Sequence, residues 1–190
     1  ELSIMQAYPP ATAAIVSRLT VPGSPTDLFL SGDRLVVFTN RYDYPVNPDP
    51  DRFYRQVFGS VTTAILYDIT DPAHPRSIRE ISAPGMYQNA RMIGDFFYFL
   101  SAEDGYYYEP RMPVILDGNE EMKVTSVWCP PQGRNLRLNT LTSFPVRGGS
   151  SPDAVSFLVG WDTTLYVSLT DLYVAYRNDR YTWSGPARSE

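Results

Sequence analysis

The chain has 190 residues, 43% of them hydrophobic and 14% aromatic, enough apolar material for one packed domain and too much for a disordered segment. A net charge of −5, from 16 Lys and Arg against 21 Asp and Glu with no basic run, excludes a phosphate-neutralising nucleic-acid binder. One cysteine, Cys129, and one histidine, His74, exclude an internal disulfide, a multi-cysteine metal site and a zinc site built on several imidazoles, and no apolar run approaches the roughly 18 to 20 residues of a bilayer span.

In chain order, residues 4–8 and 14–20 read as a strand pair around Pro9-Pro10. No signal peptide precedes them, as would also hold for a processed chain. Residues 24–30 and 34–39 alternate apolar with polar positions around Ser31-Gly32-Asp33, a strand, tight turn and strand. Residues 61–69 and 76–81 follow as a pair joined by Asp71-Pro72-Ala73-His74-Pro75, which makes His74 a solvated turn residue. Residues 86–93 and 96–101 repeat the tight hairpin around Gly94-Asp95. Residues 138–146 and 153–159 repeat the second kind of pair, with Gly148-Gly149 and Ser150-Ser151-Pro152 between them. Residues 163–168 and 172–177 form a last hairpin near Thr170-Asp171, where Thr170 replaces the glycine and requires a different turn. No segment holds a helical period over ten residues, so the class is all-β.

Residues 4–40 overlay residues 66–102 at a constant shift of 62, as Gly32 on Gly94 shows. Pro10 then falls on Pro72, Ala11 on Ala73, Pro22 on Pro84, Gly23 on Gly85 and Asp33 on Asp95. Turn residues and apolar runs that stay in step over this length mark a repeated supersecondary unit. With the tight hairpin written a-b and the following pair c-d, the order is c-d, a-b-c-d, a-b-c-d, a-b, twelve strands in all. Four-stranded antiparallel units of this kind are β-propeller blades. The expectation is a single domain over residues 1–190 with about three blades' worth of strands, an incomplete propeller or one completed by self-association. Loop insertions at about 41–60 and 103–136 both fall between b and c, and the tail from Asn178 takes the same position. In an up-and-down blade these connections leave from one face, where binding usually resides.

Gln6-Ala7-Tyr8-Pro9-Pro10, Ser24 through Phe38, Leu66-Tyr67-Asp68-Ile69-Thr70-Asp71-Pro72 and Ala90-Arg91-Met92-Ile93-Gly94-Asp95 resemble a family of archaeal and bacterial secreted proteins with a C-terminal β-propeller domain. The resemblance covers most of the chain apart from the insertions. It implies export, a surface or extracellular setting and a propeller longer than this chain, and it supplies no catalytic motif to carry over.

The first insertion places Asp43, Asn47, Asp49 and Asp51 at close spacing, hard oxygen ligands of the kind Ca²⁺ accepts, although the spacing is not that of an EF-hand and three prolines stiffen it. A solvated Asp/Pro loop is the simpler account. Aromatic residues mark the same face: Tyr42, Tyr44, Phe53 and Tyr54 in the first insertion, Tyr106, Tyr107, Tyr108 and Trp128 in the second, Tyr181 and Trp183 in the tail. They line a groove for a protein, peptide or glycan, or else pack the loops onto the blade ends. Asp104 and Glu109, with Glu103 beside them, are candidate acid and base of a propeller hydrolase, chemistry that requires two carboxyls to converge. Asp33, Asp95 and Asp171 recur in turns, where backbone hydrogen bonding explains an acid without chemistry. No phosphate loop, nucleophile elbow or metal-binding histidine motif occurs. The expected role is therefore a non-enzymatic, exported binding or scaffold module with no cofactor beyond Ca²⁺, a hydrolase being the alternative.

Overall fold

The computed structural model of the protein describes residues 1–43, 59–103, 112–129, 137–160, 164–168 and 171–176. β1 (Leu2–Gln6) and β2 (Ala14–Leu19) pair antiparallel around a 3-10 turn at Pro10–Thr12, where proline rings set the bend. β3 (Ser24–Ser31), β4 (Arg34–Asp43), β5 (Gly59–Asp68) and β6 (Arg76–Pro84) form a consecutive antiparallel meander, the first complete blade. β7 (Met86–Ile93) and β8 (Phe96–Glu103) open the second blade.

The second insertion is not a loop throughout. It supplies β9 (Val114–Asp117), β10 (Glu120–Lys123) and β11 (Val127–Trp128) before β12 (Arg137–Pro145) and β13 (Asp153–Val159) complete the second blade. β9 pairs with the outer strand β6 of the first blade, and β11 runs parallel to the outer strand β13 of the second. The insertion thus lies along the rims of both blades, and it buries Ile115 and Val124 in their common core. β14 (Thr164–Val167) and β15 (Leu172–Ala175) make the last hairpin. All twelve expected strands therefore form, and among the described residues three more join them.

The shift of 62 holds in backbone detail. Thr26 in β3 and Gln88 in β7 are each the extra residue of a β-bulge, and so are Val16 in β2 and Ile78 in β6. A bulge at the same place in each copy re-aims the strand in the same way. Gly23 and Gly85, at φ +76° and +95°, pass so close to the carbonyls of Asn40 and Ala102 that a Cβ would sit 2.6 Å from backbone atoms. Only glycine fits there.

Alternation gives each blade two apolar faces. Val36, Phe38, Leu66 and Ile81 of the first blade meet Phe97, Phe99 and Phe144 of the second, all buried. Phe38 is the hub of this interface, its ring 5.9 Å from Phe29, 5.4 Å from Phe99 and 6.2 Å from Phe97. Truncating it to alanine costs about 3–5 kcal/mol in a packed core. The opposite face of the first blade, Leu35, Val37, Ile65 and Tyr67, is covered by Leu2 and Leu19 of β1–β2. The opposite face of the second, Leu100 and Leu141, is covered by Val174 of β15.

Candidate functional site

Strand direction sorts the connections onto two ends. At one end lie the a-b and c-d turns, where the chain leaving each c strand is tied to an a-b turn: Ile69 N donates to Asp33 O at 2.9 Å and Val146 N to Asp95 O at 2.7 Å. Asp33 does more than shape its turn. Its carboxylate forms an ion pair with Arg34 at 2.9 Å and accepts a hydrogen bond from Arg147 of the second blade, and the Arg147 hydrogen bond holds its pKa below the ordinary carboxyl range. His74 sits exposed at this end, bonded through Nδ1 to Asp71 at 2.8 Å. That bond lowers the Asp71 pKa and accounts for the residue as a turn element.

The other end carries the insertions. β4 and β5 part at the pair Asp43–Gly59, and β8 and β12 part at Glu103–Leu138. The link from β6 to β7 passes beneath, with Gly85 N donating to Ser60 O at 2.7 Å. The strands change character toward this end, from phenylalanine and valine to Thr39, Asn40, Thr62, Thr63, Ser101, Asn139 and Thr140, all buried. Buried hydroxyls and amides require partners. Asn40 Oδ1 accepts the Tyr87 N–H at 3.0 Å, joining the blades, and the Thr62 hydroxyl lies 2.8 Å from Gly85 O and 3.1 Å from Asn40 Oδ1. Thr63 with Ser82 at 2.8 Å and Thr140 with Ser156 at 2.9 Å are the same c-d cross-strand pair in the two blades. This polar layer fixes the roots of both insertions.

Among the described residues, Tyr87 is the tyrosine whose proton equilibrium is displaced most. Its hydroxyl donates to Asp27 Oδ2 at 2.6 Å, and burial followed by this carboxylate pushes the phenol well above its ordinary range. It stays a donor and joins strand a of one blade to strand a of the next. Among the described residues no three His, Cys, Asp or Glu side chains converge as a metal site, and no helix is long and apolar enough to cross a membrane.

Of the aromatic candidates, Tyr42 is 55% exposed on β4 at the insertion end and Trp128 is 54% exposed on β11. They do not share one patch by placement. Tyr42 is on the second strand from the inner edge of its blade and Trp128 on the fifth strand of the other, about 14 Å further out at the usual strand spacing. Asp43 ends β4. Tyr44, Asn47, Asp49, Asp51, Phe53, Tyr54, Asp104, Tyr106, Tyr107, Tyr108, Glu109, Tyr181 and Trp183 lie outside the described residues.

The Asn40–Tyr87 and Tyr87–Asp27 bonds escaped the sequence reading. Their signal was the run of Thr, Ser and Asn at inward strand positions, such as Thr39-Asn40 and Asn139-Thr140, where a purely structural strand would carry valine.

No curated protein and no solved structure matches the chain. The family model of the β-propeller domain matches residues 1–190. Its span agrees with the two four-stranded meanders and the half-units packed on either side of them, and the chain belongs to the β-propeller domain family.

Proposed function

We propose that this propeller module recognises a protein, peptide or glycan through the insertion-bearing end of its blades, in an exported or cell-surface setting. The observation that carries the reading is the shared exit of both b-c insertions above a hydrogen-bonded Thr/Ser/Asn layer. A polar, hydrogen-bonded platform sets the strand ends from which the connections leave in fixed relation, which lowers the ordering cost of binding. The exposed Tyr42 ring stands at the base of one connection, an amphipathic contact of the kind that anchors interfaces.

Peptide and glycan arrays probed with the 190-residue chain test this reading. A defined ligand class is expected, with binding weakened about tenfold or more by Tyr42→Ala or by joint alanine replacement of Tyr106, Tyr107 and Tyr108. Wild-type binding by folded variants would remove the insertion face as the site. Turnover of a glycoside or peptide that disappears in Asp104→Asn or Glu109→Gln would replace recognition by hydrolysis.

A further inference from the structure

The 62-residue repeat makes the inner strands β3 and β7 comparable position by position, and Asp27 and Phe29 of β3 correspond to Asn89 and Arg91 of β7. In the first blade both positions close the boundary with the second. Asp27 accepts the Tyr87 hydroxyl at 2.6 Å, and the Phe29 ring packs edge to face against Phe38 and Phe97, with centroids 5.9 and 5.3 Å away. In the second blade the same positions carry an amide and an exposed guanidinium. Phe29 shows that an apolar ring suits this place in a blade boundary, so the charge at Arg91 is not explained by packing.

The Arg91 guanidinium is held in one orientation. Its Nη1 donates to Asn89 Oδ1 at 2.9 Å and to Ala90 O at 2.9 Å. That leaves the edge formed by Nε and Nη2 open. Because Asn89 turns its Oδ1 to the arginine, its Nδ2 points away and remains a donor. Arg34, Arg79 and Arg147 are each bound to aspartates, whereas among the described residues no carboxylate forms an ion pair with Arg91. Asn89 and Arg91 lie directly across from Leu100 and Tyr98 and share their face, the one on which Val174 of β15 packs. The place is therefore internal to the chain, at the inner edge of the second blade, beside the hairpin that follows it. Arg91 stands two residues from the end of β7 at the a-b turn, away from the insertions.

We propose that Arg91, oriented by Asn89, is a binding site for the carboxylate group of a ligand at the inner edge of the second blade. The free Nε and Nη2 edge presents two parallel N–H groups, the geometry that a planar carboxylate accepts bidentately. The Asn89 amide supplies a further donor from the same strand. One guanidinium balances the single charge of a carboxylate, whereas a phosphate dianion asks for more positive charge than one arginine carries on a protein of net charge −5. The site is independent of the insertion-bearing end, so either can fail without the other.

Nitrogen-edited NMR of the 190-residue chain, titrated with acetate, succinate and glucuronate at fixed ionic strength, tests this, with phosphate and sulfate as comparators. Saturable shifts of the Arg91 Nε–H and Asn89 Nδ2–H₂ signals are expected with the carboxylates, and weaker binding of the other two anions. Arg91→Gln is expected to raise the carboxylate dissociation constant about tenfold or more while circular dichroism stays that of the wild type. Arg91→Lys is expected to restore little, because an ammonium keeps the charge and loses the fork, and it decides the matter where glutamine perturbs the fold. Arg76→Gln, at an exposed cation of β6, is expected to bind as the wild type does. Shifts that grow without saturation and alike for every anion overturn the proposal, as does wild-type affinity in Arg91→Gln or in Arg91→Lys.

Discussion

Arg147 of the second blade donates to Asp33 of the first, joining a c-d turn to the a-b turn across the blade boundary. Both side chains are largely solvated, so the pair contributes little and is sensitive to salt. The sign of its pH dependence is fixed. Because the folded-state pKa of Asp33 lies below the ordinary 3.8, the contribution is present above that value and is lost as pH falls through the folded pKa. Arg147→Gln is expected to lower the urea midpoint slightly at neutral pH, with a deficit that shrinks at acid pH below 3.8. An equal deficit at both pH values would show that Arg147 acts by packing.

Gly85 and Gly94 separate two reasons for a glycine. Gly94 has φ +56° with nothing within 4 Å of an added Cβ, so Gly94→Ala carries only the backbone term, about 1–2 kcal/mol. Gly85 has φ +95° and would drive a methyl to 2.6 Å from the Ala102 carbonyl carbon. Gly85→Ala is expected to cost more than Gly94→Ala, on the order of 3 kcal/mol, read from chemical denaturation. Equal losses would mean that the link between the blades gives way freely.

Thr142 lies fully buried on the inner face of the second blade, and its hydroxyl has no hydrogen-bond partner among the described residues. Valine keeps the shape and removes the unsatisfied group. Thr142→Val is expected to raise stability by about 1 kcal/mol, and a loss of that size would indicate an ordered water on the hydroxyl.

The calcium reading of the first insertion predicts a higher melting temperature in Ca²⁺ than in chelator, growing with concentration by mass action. The gain is expected to vanish in the Asp49→Ala, Asp51→Ala double variant. Identical melts in Ca²⁺ and chelator remove the site.

Much of the architecture was legible because turn chemistry and alternation are local. Pro72, Gly85 and Gly94-Asp95 punctuate the chain wherever strands end, and the 62-residue shift needed only their spacing. β9 and β10 had a signal that went unread, Gly118-Asn119 between two short alternating runs, with Gly118 at φ +59° as such a hairpin demands. β11 had none, since two residues pair only because β13 offers an edge. The bulges at Thr26 and Gln88 show only once partners are assigned. At the candidate site, the shared exit of the insertions followed from strand order, whereas Asn40 bridging to Tyr87 depends on blade-to-blade distance, which no spacing encodes.

The rim strands also bear on how the protein is made. β9 docks on Ile81 and Ser82 of β6, strengthened by the paired hydrogen bonds of Arg79 to Asp117 at 3.0 and 2.6 Å. All of these residues leave the ribosome before β12 and β13 exist to finish the second blade. The nascent chain therefore replaces that part of the β6 edge by β10, lined with Glu120, Glu121 and Lys123, while the second blade is still half made. A fragment ending at Trp128 is expected to stay dispersed where one ending at Glu103 aggregates, and equal aggregation would show that β6 needs no cover. On that expectation, an insertion that interrupts one blade in sequence shields the edge of the other.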